Sequence, residues 1–194
     1  MRHSFRALAA AATLAALSMG TAQAQSATYV LDPTHTFVTF EIGHFGTSTN
    51  RGRFDKKEGT VQFDRAGKTG KVDLTIDATS ISTGTPLFDK HLQSADLFNV
   101  AKFPTMQFSA DQFRFNGDKV SEIGGKLTML GQTHPVTLKA NNFNCYQSPM
   151  LKREVCGGDF SATIDRTQWG LDYGMGMVAG KEVKLIATVE AVRQ

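Results

Sequence analysis

Five histidines and two cysteines carry most of the reactive chemistry open to this chain. His35, His44, His91 and His134 are scattered rather than paired. No HExxH and no cysteine quartet is present, so a metal-dependent hydrolase lacks its ligand set. No GxSxG turn presents a serine nucleophile. The glycine-rich stretches GGK (124–126) and GMGMVAGK (174–181) precede no helical pattern, and Lys181 is not followed by the Ser or Thr of a phosphate-binding loop. Glu41 and Asp73 could act as paired carboxylates, but the alternation around them puts both on solvent faces of strands. Cys145 and Cys156 lie 11 positions apart with Lys152 and Arg153 between them and no CxxC spacing, which reads as a structural disulfide pinning CYQSPMLKREVC. The chemistry these residues exclude leaves binding, with no cofactor and no metal.

The first residues indicate where that binding takes place. Arg2 and Arg6 precede an apolar run from Ala7 to Leu17, and small residues exit at Ala22-Gln23-Ala24. This is the layout of a secretory signal peptide, with cleavage expected after Ala24 and a single domain over residues 25–194. The alternative, a retained membrane anchor, has an apolar run shorter than the ~20 residues a spanning helix needs. Loss of Arg2 and Arg6 takes the formal charge from +3 to +1. So balanced a chain has little electrostatic reason to bind nucleic acid, and recognition falls to shape and apolar surface.

The elements that must position a site are strands. Val38, Phe40 and Ile42 share one face of TFVTFEI. Val72, Leu74, Ile76 and Ala78 do so in KVDLTIDA, and Val61 with Phe63, Phe160 with Ala162 and Ile164, and Val183, Leu185, Ala187 and Val189 repeat the pattern. Turn clusters at 64–70, 116–118 and 130–135 read as hairpin connections. Between Thr105 and Phe115 the apolar parity changes by one residue, which predicts a bulge. One helix is expected within Pro86 to Leu97, burying Leu87, Phe88, His91, Leu92 and Ala95, before Phe103-Pro104 turns the chain into the next strand.

About eight such runs, each with one wet face, suit a closed eight-stranded barrel, filled or holding one small ligand; periodicity leaves a two-sheet sandwich equally open. Phe is abundant (14, against three Tyr and one Trp), which suits a solid core or the wall of an apolar cavity.

Five stretches, in this order and spacing, carry a likeness: TYVLDPTHTFVTFEIGHFG (28–46), GRFDKKEGTVQFD (52–64), HLQSADLFNVAKFPTMQFSA (91–110), GGKLTMLGQTHPVTL (124–138) and ATIDRTQWGLDYG (162–174). Through them the chain resembles the YceI-like family of exported, lipocalin-like, polyisoprenoid-binding barrels. The resemblance implies an all-β, eight-stranded antiparallel barrel, a short helical segment near its opening, and an isoprenoid or quinone-like lipid held inside. Such a protein is a periplasmic carrier rather than an enzyme, monomeric or homodimeric, with transient membrane contact.

The expected ligand-contacting set is Phe40, Ile42, His44, Phe45, Phe54, Leu74, Ile76, Phe88, Leu92, Leu97, Phe98, Phe103, Met106, Phe108, Leu127, Met129, Leu138, Phe160 and Trp169. Each has plain core packing as its alternative, and His44 has a strand-end hydrogen bond to backbone. Thr47, Ser48, Arg51, Asp89, His91 and Arg166 are head-group candidates at the mouth. The Cys145–Cys156 excursion departs from the family pattern and is expected to alter the rim near Phe143. Two rival classes stay open: an enzyme on a small apolar substrate, and a stress-related interaction module that binds no ligand.

Overall fold

The computed structural model describes residues 26–194, so the expected signal peptide lies outside the described residues. In chain order the strands are β1 (Ala27–Leu31), β2 (Phe37–His44), β3 (Ser48–Phe54), β4 (Lys57–Asp64), β5 (Thr69–Asp77), β6 (Ile81–Ser82), β7 (Thr105–Asn116), β8 (Lys119–Met129), β9 (Gln132–Ala140), β10 (Asn144–Gln147), β11 (Glu154–Asp165) and β12 (Ala179–Arg193), with helix α1 (Pro86–Leu92) between β6 and β7. Pairing runs β11-β9-β8-β7-β5-β4-β1-β12, and β12 closes back onto β11. The result is an all-β, eight-stranded antiparallel closed barrel with one short α-helix among the described residues, so the sandwich is excluded. Closure joins the two ends of the sheet, with β9 and β11 meeting over only two rungs, and the apolar faces of the strands turn inward.

Three of its staves are jointed. β12 pairs with β1 through Ala191–Arg193 and with β2 through Thr188 to Ala179, so β1 and β2 are one stave broken at Asp32–Thr36. β3 likewise prolongs β4, and β6 prolongs β5. A broken stave leaves ladder groups without partners, and Thr36 repairs this one. Its fully buried hydroxyl donates to Glu190 O (3.1 Å) and accepts from Glu190 N–H (3.3 Å), standing in for the missing backbone. Asp32 holds the joint from the other side, accepting from Thr34 N–H (2.8 Å) and Thr34 Oγ1 (2.6 Å) and pairing with His35 Nδ1 at 2.8 Å.

These bonds make the joint pH-sensitive. The hydrogen bond to His35, then those to Thr34, lower the Asp32 pKa to about 2, and Asp32 in turn raises that of His35. Asp32 therefore stabilises fully above its ordinary 3.8 and loses its effect as pH falls through about 2. The His35 contribution is full below 6.5 and fades as pH rises through its raised value. Asp32→Asn is expected to cost about 1 kcal/mol between roughly pH 4 and 6.5, and less on either side, when urea unfolding is followed across pH.

Two elements differ from their sequence expectation. The helix stops at Leu92: Gln93 makes the last four-residue bond, Ser94 N–H reaches only three residues back to His91 O, and the chain then turns through Asn99 at φ 43°. As a result Leu87 and Ala95 are exposed, while Phe88 and Leu92 face the core. The connection expected over 130–135 is only Leu130-Gly131, since Gln132–Pro135 already belong to β9. Pro135 is accommodated because β9 meets β11 only at Lys139 and Ala140, so no ladder on that side needs its missing N–H. The expected bulge is present in β7, where pairing with β8 slips between Ala110 and Gln112.

Cys145 and Cys156 are bonded and face each other across β10 and β11. Closing a loop over 11 positions restricts the unfolded chain by about 3 kcal/mol. Replacing both cysteines by serine is expected to lower unfolding stability by that amount. A reductant should then destabilise the parent chain and leave the double variant unchanged. No helix among the described residues is long and apolar enough to cross a membrane.

Candidate ligand chambers

Inside the barrel are two apolar chambers, one of about 120 Å³ beneath α1 and one of about 80 Å³ towards the other end, and they share no lining residue. The strand period explains their stacking. Met106 lines the first and Phe108 the second, two residues on; Ile76 and Leu74, and Leu185 and Ala187, repeat the step, while Leu127 and Ile123, and Ile164 and Phe160, are two such steps apart. The boundary is aromatic. Phe108 and Phe160 are buried at that level; a Cβ on Gly125 would lie 2.5 Å from Ser109 O and 2.9 Å from Phe108 Cζ, so the backbone must be glycine there and the ring lies over it.

The chamber beneath α1 gathers ten of the predicted residues: Phe40, Ile42, Phe54, Ile76, Leu92, Leu97, Phe98, Met106, Leu127 and Met129. Leu92, Leu97 and Phe98 come from the helix and its following turn, and the Phe98 ring meets Phe54 edge-on at 5.6 Å. The distal chamber takes Leu74, Phe108, Leu138 and Phe160. Its Tyr29 is a buried phenol donating to Glu154 Oε1 (2.5 Å); burial first, then that bond, raises its pKa to about 12. Tyr29 is thus a neutral donor, fixed on its partner.

Five predicted residues lie elsewhere. His44 ends β2 on the rim, its ring edge-on to Phe45 at 4.7 Å, and Phe45 is exposed at φ 48°. Phe88 packs on the core without reaching a chamber. Phe103 lies under Lys102 Nζ (5.1 Å) and against Gly131 of the β8–β9 turn. Trp169 is a plug: β9 and β11 share only two rungs, and the buried indole fills the seam they leave, donating to Leu127 O (3.1 Å) with His134 at 5.0 Å.

About half of the lining residues outside the predicted set lie on faces the alternation had already marked, including Val38, Val61, Phe63, Val72, Val183 and Val189, while Tyr29, Leu31, Ile123, Leu171 and Ala191 do not. Arg166 is the charged exception. Expected at the mouth, it is buried in the wall of the chamber beneath α1. Its guanidinium donates to Leu171 O (2.7 Å), Gly180 O (2.9 Å) and Tyr173 O (3.0 Å), closing the 171–180 loop over the barrel end. Desolvation lowers its pKa, an effect partly countered by Asp172 and Asp165. Among the other head-group candidates, Asp89 is occupied by Thr83 N–H (2.7 Å) and Oγ1 (2.6 Å), and Arg51 by Glu41 (2.8 Å). Among the described residues no three His, Cys, Asp or Glu side chains converge as a metal ion requires.

Similarity to known proteins agrees with this architecture. A family model described as YceI-like domain matches residues 29–191. A Pseudomonas aeruginosa protein called UPF0312 protein is 38% identical over 190 residues, covering 94% of this chain and 98% of its own length. Protein YceI of Salmonella arizonae is 37% identical over 185 residues, covering 94% and 95%. Among solved structures, BcnA of Burkholderia cenocepacia superposes with a TM-score of 0.69 at 22% identity, covering 84% of this chain and 99% of its own. A polyisoprenoid binding domain from Saccharophagus degradans gives 0.61 at 14% identity, covering 88% and 100%. These two structures support the fold, and the sequence matches supply the family: the chain belongs to the YceI-like family.

Proposed function

We propose that the protein is an exported, non-catalytic carrier that holds an isoprenoid or quinone-like lipid by its tail. The observation carrying this reading is the pair of stacked chambers, whose lining is apolar apart from Arg166 and the Tyr29 phenol. An isoprene unit brings five carbons, and at ~0.8 kcal/mol per buried methylene-like group its transfer from water is favourable by several kcal/mol. Affinity levels off near ~18 kcal/mol, so longer tails are selected by where they stop. The Saccharophagus domain, described as polyisoprenoid-binding, shares the fold and supports the same ligand class. The leader-like first 24 residues support export to the periplasm, where a lipid needs an apolar sleeve to cross water.

The size of the chambers adds a condition. Each is smaller than a cavity of ~150 Å³ that admits benzene, and far below the ~300 Å³ at which drug-sized sites begin. A tail therefore enters by moving the aromatic boundary. This tightness is what favours the rival reading of a ligand-free interaction module.

Transient membrane contact has its own support. Phe45, Leu87, Tyr173, Met175 and Met177 are exposed at the α1 end. Phe45 N–H bonds Val178 O (2.9 Å), and Tyr173 meets His91, one turn beyond Leu87, at 5.1 Å. Together they form an apolar rim suited to brief contact with a bilayer. The test is mass spectrometry of lipid extracted from protein purified from periplasm without detergent. An isoprenoid-tailed lipid at near-stoichiometric yield is expected; repeated recovery of lipid-free protein that takes up none would leave the interaction module standing.

A further inference from the structure

A second kind of hollow lies outside the barrel. A groove of about 720 Å³ opens in the wall between β8 and β11, away from α1. It exists because the staves part. The last rung of β8 with β9 is Glu122↔Lys139, and β9 meets β11 only at Lys139 and Ala140. Beyond that point Asn141 N–H turns to Asp159 O (2.7 Å), and the chain crosses over to β10. Asn142 fixes the corner by a reciprocal pair with Asp159, donating to its carboxylate (2.8 Å) and accepting from its N–H (2.7 Å). Gly158 permits this, since a Cβ there would lie 2.2 Å from Asn142 O.

The groove meets the interior. Phe143, Gly157 and Val189 line both it and the distal chamber. Phe143 is half-buried and packs on Phe63, ring to ring, at 5.7 Å. Its ring is the movable part of that shared wall, because its neighbours are a glycine and a β-branched strand residue. It sits two residues before Cys145, so the disulfide anchors the segment that carries it.

The lining also selects a head group. Its formal charges are Lys119 against Asp159 and Glu190. Asp159 is satisfied by Asn142 and Thr188 (2.7 Å), and Glu190 accepts from the Tyr146 hydroxyl (3.0 Å). What remains for a guest are the Lys119 ammonium and uncharged amides and hydroxyls, such as those of Asn144 and Ser121, set beside two carboxylates whose negative charge outweighs the ammonium. A phosphate or diphosphate would face two carboxylates and one ammonium, whereas a hydroxyl or quinone carbonyl would find neutral hydrogen-bonding partners. Resting on the carrier reading, we propose that this groove seats the uncharged head group of the isoprenoid, whose tail passes Phe143 into the distal chamber.

Binding of farnesol and farnesyl diphosphate to the mature protein at low salt tests this, read by calorimetry and by competition with a fluorescent lipid. Farnesol is expected to bind at least tenfold more tightly. Because the alcohol is also the more apolar guest, the deciding result is how surface charge moves the ratio. Glu190→Gln is expected to tighten the diphosphate about threefold or more and Lys119→Gln to weaken it similarly, with farnesol little changed. Phe143→Ala is expected to speed farnesol association several-fold. If neither probe binds, the carrier reading falls. If both bind but the diphosphate wins, or its affinity ignores both charge changes in folded variants, the groove assignment falls and the carrier reading stands.

Discussion

Phe108→Ala is expected to join the two chambers and to lower unfolding stability by about 3–5 kcal/mol, the usual cost of deleting a buried phenyl ring. Phe108 is buried in a continuous rank, laddered to Leu74 on one side and Leu127 on the other, with its ring over Gly125. Gly125 cannot fill the space, and its neighbours are fixed by β pairing, so collapse into the hole is limited. The same ring is what a long tail must displace to occupy both chambers. The variant should therefore recover part of its lost stability when lipid is added, and geranylgeraniol should gain about tenfold over geraniol relative to the parent. Urea unfolding with and without each alcohol measures both effects. A stability loss with unchanged chain-length preference would place the tail elsewhere.

Arg166→Met is expected to cost about 3–5 kcal/mol, because it removes the shared donor of several carbonyls at the barrel end. Leu171, Tyr173, Gly180 and, at 3.5 Å, Ala179 all present oxygens to this guanidinium. Met retains most of the side-chain length, so the loss reports hydrogen bonding rather than packing. Hydrogen exchange supplies the local readout: the Leu171, Val178 and Ala179 amides, bonded within this loop, should lose protection before those of β8. The loop covers the chamber beneath α1, so lipid dissociation should quicken as well. Arg166→Lys, with one donor centre, is expected to fall between the two. Uniform loss of protection would mean that Arg166 supports the whole barrel and not this loop.

The alternation of apolar residues was enough to read the barrel wall, because each strand has one wet and one dry side and closure leaves the dry sides a single place to go. Val38, Phe40 and Ile42, or Val183, Leu185 and Ala187, could be assigned inward on that ground alone. The one-residue parity change in β7 gave away its bulge. What escaped depends on partners far apart in the chain. Thr36 mends the break between β1 and β2 by bonding Glu190 of β12, 154 positions away. Arg166 resembles a rim cation until three or four carbonyls of a later loop surround it. Trp169 looked like a ligand contact, yet it closes a seam that exists only because β9 and β11 barely pair. Periodicity also says which side chains face inward and not whether they meet across the middle, so the division into two small chambers was not visible. The outer groove, assembled from four segments, left no local pattern, although the Cys145–Cys156 excursion marked its neighbourhood.

Carriage of a long tail requires the aromatic boundary to give way to a threaded guest. The most direct test is a crystal structure of protein purified from its native source and never exposed to detergent. The predicted result is continuous density for one branched chain from beneath α1 into the distal chamber, with the Phe108 ring turned aside. Density showing both chambers still walled apart, together with no uptake of added isoprenol in solution, would contradict it.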